Sequence, residues 1–236
     1  MTTAPADPPR RKLTGAIAPA LAVAALAGLG AIAVVSWQGR AQLSSAAPAP
    51  AGCILENADA LGGPIALLDA NGAAVTEANF AGAPAVVFFG YTHCPDVCPT
   101  TMYVLAEALA ASGRDDVRPV LISVDPARDT PDVLRAYVAS AGFPPGLAGL
   151  TGSPEQVRAA ARAFQASVAA AGAPAASGAY DINHSTFLYV LDESWTTVAA
   201  MPTFRAGEVQ PDGRISPIPV SPEELSACIA AGLNRR

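Results

Sequence analysis

One segment constrains the fold more than any other: Val86-Val-Phe-Phe-Gly-Tyr-Thr-His-Cys-Pro-Asp-Val-Cys-Pro-Thr-Thr-Met102. The uncharged apolar run at 85–89 reads as a strand buried on both faces. Gly90 ends it, and two cysteines, Cys94 and Cys98, follow four residues apart where a helix over 99–111 begins. A buried strand turning into a helix belongs to an α/β domain. The remaining pattern agrees. A second buried strand is expected at 119–124. Thr130-Pro131 opens a helix to about 141, Ser153-Pro154-Glu155 another to about 169, and Ser221-Pro222-Glu-Glu224 a last one. A hydroxyl N-cap followed by proline at the first helical position is favourable start chemistry in all three. Residues 65–68 and 75 flank Asp69-Ala-Asn-Gly72, and Asn-Gly is a hairpin signal. A second strand pair is expected at 186–191 and 196–200, around Asp192-Glu-Ser194. Hairpins beside strand–helix alternation predict a mixed central sheet.

The N-terminus carries a separate signal. Residues 13–37 form an unbroken uncharged run, preceded by Arg10, Arg11 and Lys12. At about 1.5 Å of rise per residue such a run spans a bilayer core. The preceding basic residues place residues 1–12 in the cytoplasm. A cleaved signal peptide is the competing reading, but its apolar core is usually only about 7–15 residues. Residues 38–52 are rich in Ala, Ser and Pro and read as a linker. The folded domain is then expected at 53–236, outside the membrane, which in a bacterial cell means a single-pass inner-membrane protein with a periplasmic domain.

Charged residues make up 14% of the chain and hydrophobic ones 51%, enough apolar content for a buried core. The net charge is −6, and from residue 41 onward 10 Arg face 19 Asp plus Glu. An acidic domain without a basic stripe argues against a nucleic-acid partner.

Two thiols at i and i+4 on a helical turn share a face, so Cys94 and Cys98 are placed to converge on one metal ion. A helix N-terminus also favours the thiolate, the form that binds metal or attacks disulfides. Two sulfurs leave a metal under-coordinated, and the chain has only two histidines, His93 and His184. His93 adjoins Cys94 on a turn and is expected to point away from the sulfurs. His184 precedes an expected strand, and sites in α/β sheets gather at strand ends. Two thiolates and an imidazole suit copper, as Cu(I) through the sulfurs and Cu(II) with help from the imidazole. Asp96 and Asp181 are near enough in sequence to keep zinc open. The same spacing puts the Cys94 and Cys98 Cα atoms about 6 Å apart, within disulfide range, so a redox-active bridge between them is expected to block metal binding. Cys53 and Cys228 are left over, either as a structural disulfide or as two small apolar residues. In Ser123-Val-Asp-Pro-Ala-Arg-Asp-Thr130, the charged residues Asp125, Arg128 and Asp129 read as a helix-entry turn with internal hydrogen bonds rather than a functional surface.

Three segments, Gly90 to Thr101, Ser123 to Thr130 and His184-Ser-Thr186, together resemble the Sco/SenC family, in this order and over about residues 60–233. The resemblance implies a thioredoxin-like fold with an N-terminal membrane anchor. It also implies a copper site made by Cys94, Cys98 and His184. Its implied role is assembly of the copper site of cytochrome c oxidase subunit II, by copper delivery or by reduction of that subunit's cysteines. In an oxidising compartment Cys94 and Cys98 tend towards the disulfide, so a thioredoxin-like reductant is an expected partner, together with a copper donor. Asn183 departs from the family, many of whose members carry an acidic residue before the histidine.

Three functions compete. A metallochaperone binds without turnover. A thiol–disulfide reductase would use the same cysteines, although thioredoxin-type enzymes usually space theirs by two residues and carry a proline opposite, which 181–186 lacks. A peroxidase would need Thr-x-x-Cys, and Thr92 is one residue too close to Cys94. The anchor is tested by topology. A periplasmic reporter fused after Gly52 is expected to be active on a protein that keeps Arg10 to Lys12, whereas a mature N-terminus near Ala46 would identify a cleaved signal.

Overall fold

The computed structural model describes residues 49–170, 180–205, 207 and 217–235. Within them Asp69-Ala-Asn-Gly72 closes an antiparallel hairpin between β1 (Ala66–Asp69) and β2 (Ala74–Thr76). Gly72 takes φ 78°, and its N–H donates to the Asp69 carbonyl at 2.9 Å. A side chain there would be strained in this left-handed conformation. The expected segments 1–12, 13–37 and 38–48 lie outside the described residues. Among the described residues no helix is long and apolar enough to cross a membrane.

The expected buried strand is β3 (Ala85–Gly90), and Val86 through Phe89 are wholly inaccessible to solvent. It runs parallel to β4 (Arg118–Ser123), which runs parallel to β5 (Ala148–Thr151). A short hairpin, β6 (Val168–Ala170) with β7 (Ile182–His184), stands outside the main sheet. On its other side β3 pairs antiparallel with β8 (Phe187–Leu191), which pairs with β9 (Thr197–Pro202). The seven-stranded order is β2-β1-β5-β4-β3-β8-β9, a mixed sheet as expected. A small ladder of β10 (Phe204–Arg205) and β11 (Ile218–Pro219) completes the strands.

Four helices cover the sheet: α1 (Val97–Ser112), α2 (Pro131–Val138), α3 (Pro154–Ala163) and α4 (Pro222–Leu233). Thr130, Ser153 and Ser221 cap the last three, each accepting from the backbone N–H three residues on. Neighbouring residues of β3 point to opposite faces. Phe89 meets the Phe164 ring at the end of α3, at 5.4 Å, while Gly90 faces Cys98 in the first turn of α1. These two helices therefore lie on opposite faces, and α4 packs beside α1 and over β9. A parallel β3–α1–β4 unit followed by the antiparallel β8–β9 pair and a closing helix gives the thioredoxin-like arrangement.

Two expectations need correction. The helix from Ser153 does not reach 169. It stops at Ala163 because Gln165 takes φ 53° and the Ala166 N–H turns back to the Ala161 carbonyl at 2.8 Å, closing the last turn. The freed segment forms β6 instead. The helix from Thr130 likewise ends at Val138 rather than near 141.

Cys53 and Cys228 form a disulfide with Cα atoms 5.6 Å apart, spanning 175 residues of sequence and tying the start of the domain to α4. Closing so long a loop restricts the unfolded chain, and removing such a bridge typically costs about 2–5 kcal/mol. Cys53→Ala is expected to lower the Tm of the oxidised protein by several degrees. An unchanged melting curve in non-reducing buffer would show that the bridge does not stabilise this fold.

Candidate metal centre

The cysteines sit where the buried strand opens into α1. Gly90 has no side chain, and a Cβ placed there would lie 3.0 Å from the Cys98 sulfur and 2.7 Å from the Phe88 ring. The missing methyl group is what lets Cys98 pack against the end of β3. Cys98 is fully buried in the first turn of α1, while Cys94 lies half-buried in the loop before it. The two cysteines are therefore not both on a helix, as the spacing alone suggested. They meet because the loop folds back: the Cys98 N–H donates to the Cys94 sulfur at 3.4 Å. Asp96, the N-cap residue, makes no side-chain cap of its own, so the Cys94 sulfur serves one of the helix's free N–H groups. Both cysteines are free thiols, without the bridge their spacing permits.

This geometry makes the pair unequal. A hydrogen bond shared with Cys98 pulls the Cys94 thiol down to about 4, with contributions from the backbone of Cys98 and Asp96. Cys98 moves strongly upward, first because its proton is held by Cys94 and then because it is buried. The two shifts run in opposite directions, favouring the thiolate on the more exposed sulfur and the proton on the buried one.

His184 faces them from the end of β7. Its Nε2 lies 3.8 Å from the Cys98 sulfur, while its Nδ1 lies 3.0 Å from the Ser185 carbonyl oxygen. An N–H on Nδ1 donating to that carbonyl leaves Nε2 with its lone pair towards the sulfurs. The rings of Phe88 and Tyr91 meet the imidazole edge-on at 6.0 and 5.8 Å. Cys94, His184 and Tyr91 line one open cleft of about 260 Å³, with the exposed Asp96, Asp181 and Asn183 on it.

His93 turns elsewhere. It is exposed, with Nδ1 3.1 Å from the Thr92 hydroxyl and 3.8 Å from Asp129. Donor atoms of His93, Asp125 and Asp129 lie within 4.8 Å of one another, but the carboxylates are already engaged. Asp129, wholly buried, accepts from the Thr92 N–H at 3.0 Å, the Thr92 hydroxyl at 2.6 Å and the Ser123 hydroxyl at 2.6 Å. Asp125 accepts from Arg128 and from the Tyr180 hydroxyl. These bonds agree with the helix-entry reading of residues 123–130. They also do something the sequence reading missed: through Thr92, Asp129 anchors the loop that carries Cys94. Tyr91 and Tyr180 were missed as well. Their phenols bond to β7 and to Asp125, contacts 91 and 55 residues away in sequence that no local pattern announces.

A family model described as SCO1/SenC matches residues 55–210. Protein SenC of Rhodobacter capsulatus is 43% identical over 136 residues, 56% of this chain and 59% of its own length. Protein SCO2, mitochondrial, of Saccharomyces cerevisiae is 36% identical over 145 residues, 60% of this chain and 48% of its own. The chain thus spans about half the length of these relatives. Among solved structures, Bradyrhizobium japonicum ScoI with copper bound superposes with a TM-score of 0.57 at 35% identity, covering 74% of this chain and all of that one. Arabidopsis thaliana ScoI with copper bound gives 0.56 at 37% identity, over 61% of this chain and 88% of the other. The chain belongs to the SCO1/SenC family.

Proposed function

We propose that this protein is a copper metallochaperone that takes one copper ion through Cys94, Cys98 and His184 and assists assembly of the copper site of cytochrome c oxidase subunit II. The observation that carries the proposal is the approach of His184 Nε2 to within 3.8 Å of the Cys98 sulfur, beside a Cys94 held as thiolate. Soft sulfurs suit Cu(I), and an imidazole with a free lone pair suits Cu(II). The copper-bound ScoI relatives support the same cargo. Copper binding displaces the proton on Cys98, so loading releases acid. In the cell the domain is held on the outer face of the inner membrane by residues 13–37. A copper donor loads it, and a thioredoxin-like reductant keeps Cys94 and Cys98 reduced.

A second reading is a thiol–disulfide reductase acting on the cysteines of the same subunit. The inequality of the two cysteines favours it: Cys94 is an accessible thiolate suited to attack a disulfide, and Cys98 a buried thiol suited to resolve the mixed disulfide. The two readings share their residues and differ in whether metal or electrons are handed over.

The test is a copper titration of the reduced full chain in detergent. One copper per chain is expected. Cys94→Ser and Cys98→Ser are each expected to abolish stoichiometric binding, and His184→Ala to weaken Cu(II) more than Cu(I). The disulfide form, verified by peptide mass, is expected to bind poorly until reductant is added. Stoichiometric binding by Cys98→Ser, or full-affinity binding by the disulfide form, would overturn the ligand set. Reduction of the target's disulfide by metal-free protein, with no copper transferred from loaded protein, would favour the reductase.

A further inference from the structure

His184 does not belong to the main sheet. It ends β7, whose strand partner among the described residues is the three-residue β6, with Val168 opposite His184. A two-stranded hairpin is marginally stable by itself. The position of the imidazole therefore depends on what else holds this arm.

Two phenol hydrogen bonds tie it to the rest of the domain. The backbone N–H of Ile182 donates to the Tyr91 hydroxyl at 3.4 Å, within β7 itself. Just before β7, the Tyr180 hydroxyl donates to Asp125 Oδ1 at 2.7 Å. Asp125 is 2% exposed and its other oxygen accepts from Arg128 Nε. The Arg128 guanidinium lies over the Tyr180 ring at 3.7 Å and reaches the Tyr91 ring at 5.8 Å. A buried carboxylate at the end of β4 is thus joined through one phenol to the start of the histidine arm. A cation between two aromatic faces links it to the second point of attachment. Neither Asp125 nor Tyr180 lines the metal cleft.

We propose that Asp125 and Tyr180 are positioning residues for His184: their hydrogen bond fixes the arm so that Nε2 stays beside the Cys98 sulfur. The inference rests on the copper reading above. It goes beyond that reading by assigning the control of the histidine to a pair that touches no ligand. Partners that orient metal ligands from outside the coordination sphere change metal affinity by about 10–100-fold when removed. Here the effect is selective, because two thiolates hold Cu(I) without the imidazole while Cu(II) draws on it.

Tyr180→Phe keeps the ring over Arg128 and removes only the hydroxyl. Cu(I) and Cu(II) affinities, the Cu(II) electron paramagnetic resonance spectrum and Tm would be compared for wild type, Tyr180→Phe, His184→Ala and the double variant, all as full chains. Tyr180→Phe is expected to weaken Cu(II) by about tenfold with altered hyperfine splitting, and to change Cu(I) by less than about twofold. In the His184→Ala background it should add nothing, because it acts through the imidazole. Asp125→Asn, which keeps an acceptor for the phenol, should weaken Cu(II) less than Tyr180→Phe. A wild-type Cu(II) affinity and spectrum in Tyr180→Phe would overturn the proposal. So would equal losses in both oxidation states that follow Tm, or a further loss in the double variant. If His184→Ala itself leaves Cu(II) unchanged, the ligand assignment fails, and the positioning role fails with it.

Discussion

Because β3 and β8 run antiparallel, with Phe88 opposite Leu188, the end of one strand lies beside the start of the other. The end of β3 delivers the loop with Cys94 and Cys98, and the segment just before β8 delivers His184. The proposed ligands come from positions 86 residues apart in the case of Cys98 and His184, and the β3–β8 ladder brings the two segments that carry them to the same end of the sheet. A one-residue slip of that ladder would turn every side chain of β8 to the other face. It is resisted by the complete burial of Val86 through Phe89 against Leu188, Val190 and Leu191. The candidate metal centre is in this sense an edge of the hydrophobic core.

The core also sets the chemistry. The hydrogen bond to Cys94, and after it burial, keep the proton on Cys98, and the loop that folds back over α1 is what brings the Cys94 sulfur within reach. The charge gathers on Cys94, the sulfur facing the cleft. A metal ion arriving there would be held first by the Cys94 sulfur and then by Cys98, whose proton would be released. A disulfide arriving there meets a nucleophile with a resolving thiol behind it. Copper binding and thiol exchange thus draw on the same asymmetry.

Much of this was legible in the sequence, for local reasons. The four apolar residues after Ala85 announce a doubly buried strand, and the hydroxyl–proline starts at Thr130, Ser153 and Ser221 each mark a helix that forms. What was not legible depends on partners. Ala-Gly-Leu-Thr carries little strand preference, and it becomes β5 only because β1 and β4 lie on either side of it. The alanine-rich stretch after Ser153 favours helix throughout, and a left-handed Gln165 stops it early. Cys94 and Cys98 were readable as a pair from their spacing, but the helical geometry assumed for both holds only for Cys98. The bridge between Cys53 and Cys228 and the bond between Tyr180 and Asp125 join residues distant in sequence, so no local pattern contains them.

The central claim is that the copper sphere consists of two sulfurs and one imidazole, all from the edge that β3 and β8 create. X-ray absorption at the copper edge, on the loaded and reduced full chain, tests it most directly. The account predicts a shell with two sulfur scatterers and one nitrogen, with the outer-ring signal of a single imidazole that disappears in His184→Ala. A shell dominated by oxygen, or an imidazole signal that survives His184→Ala and vanishes in His93→Ala, would place the metal against His93, Asp125 and Asp129 and contradict it.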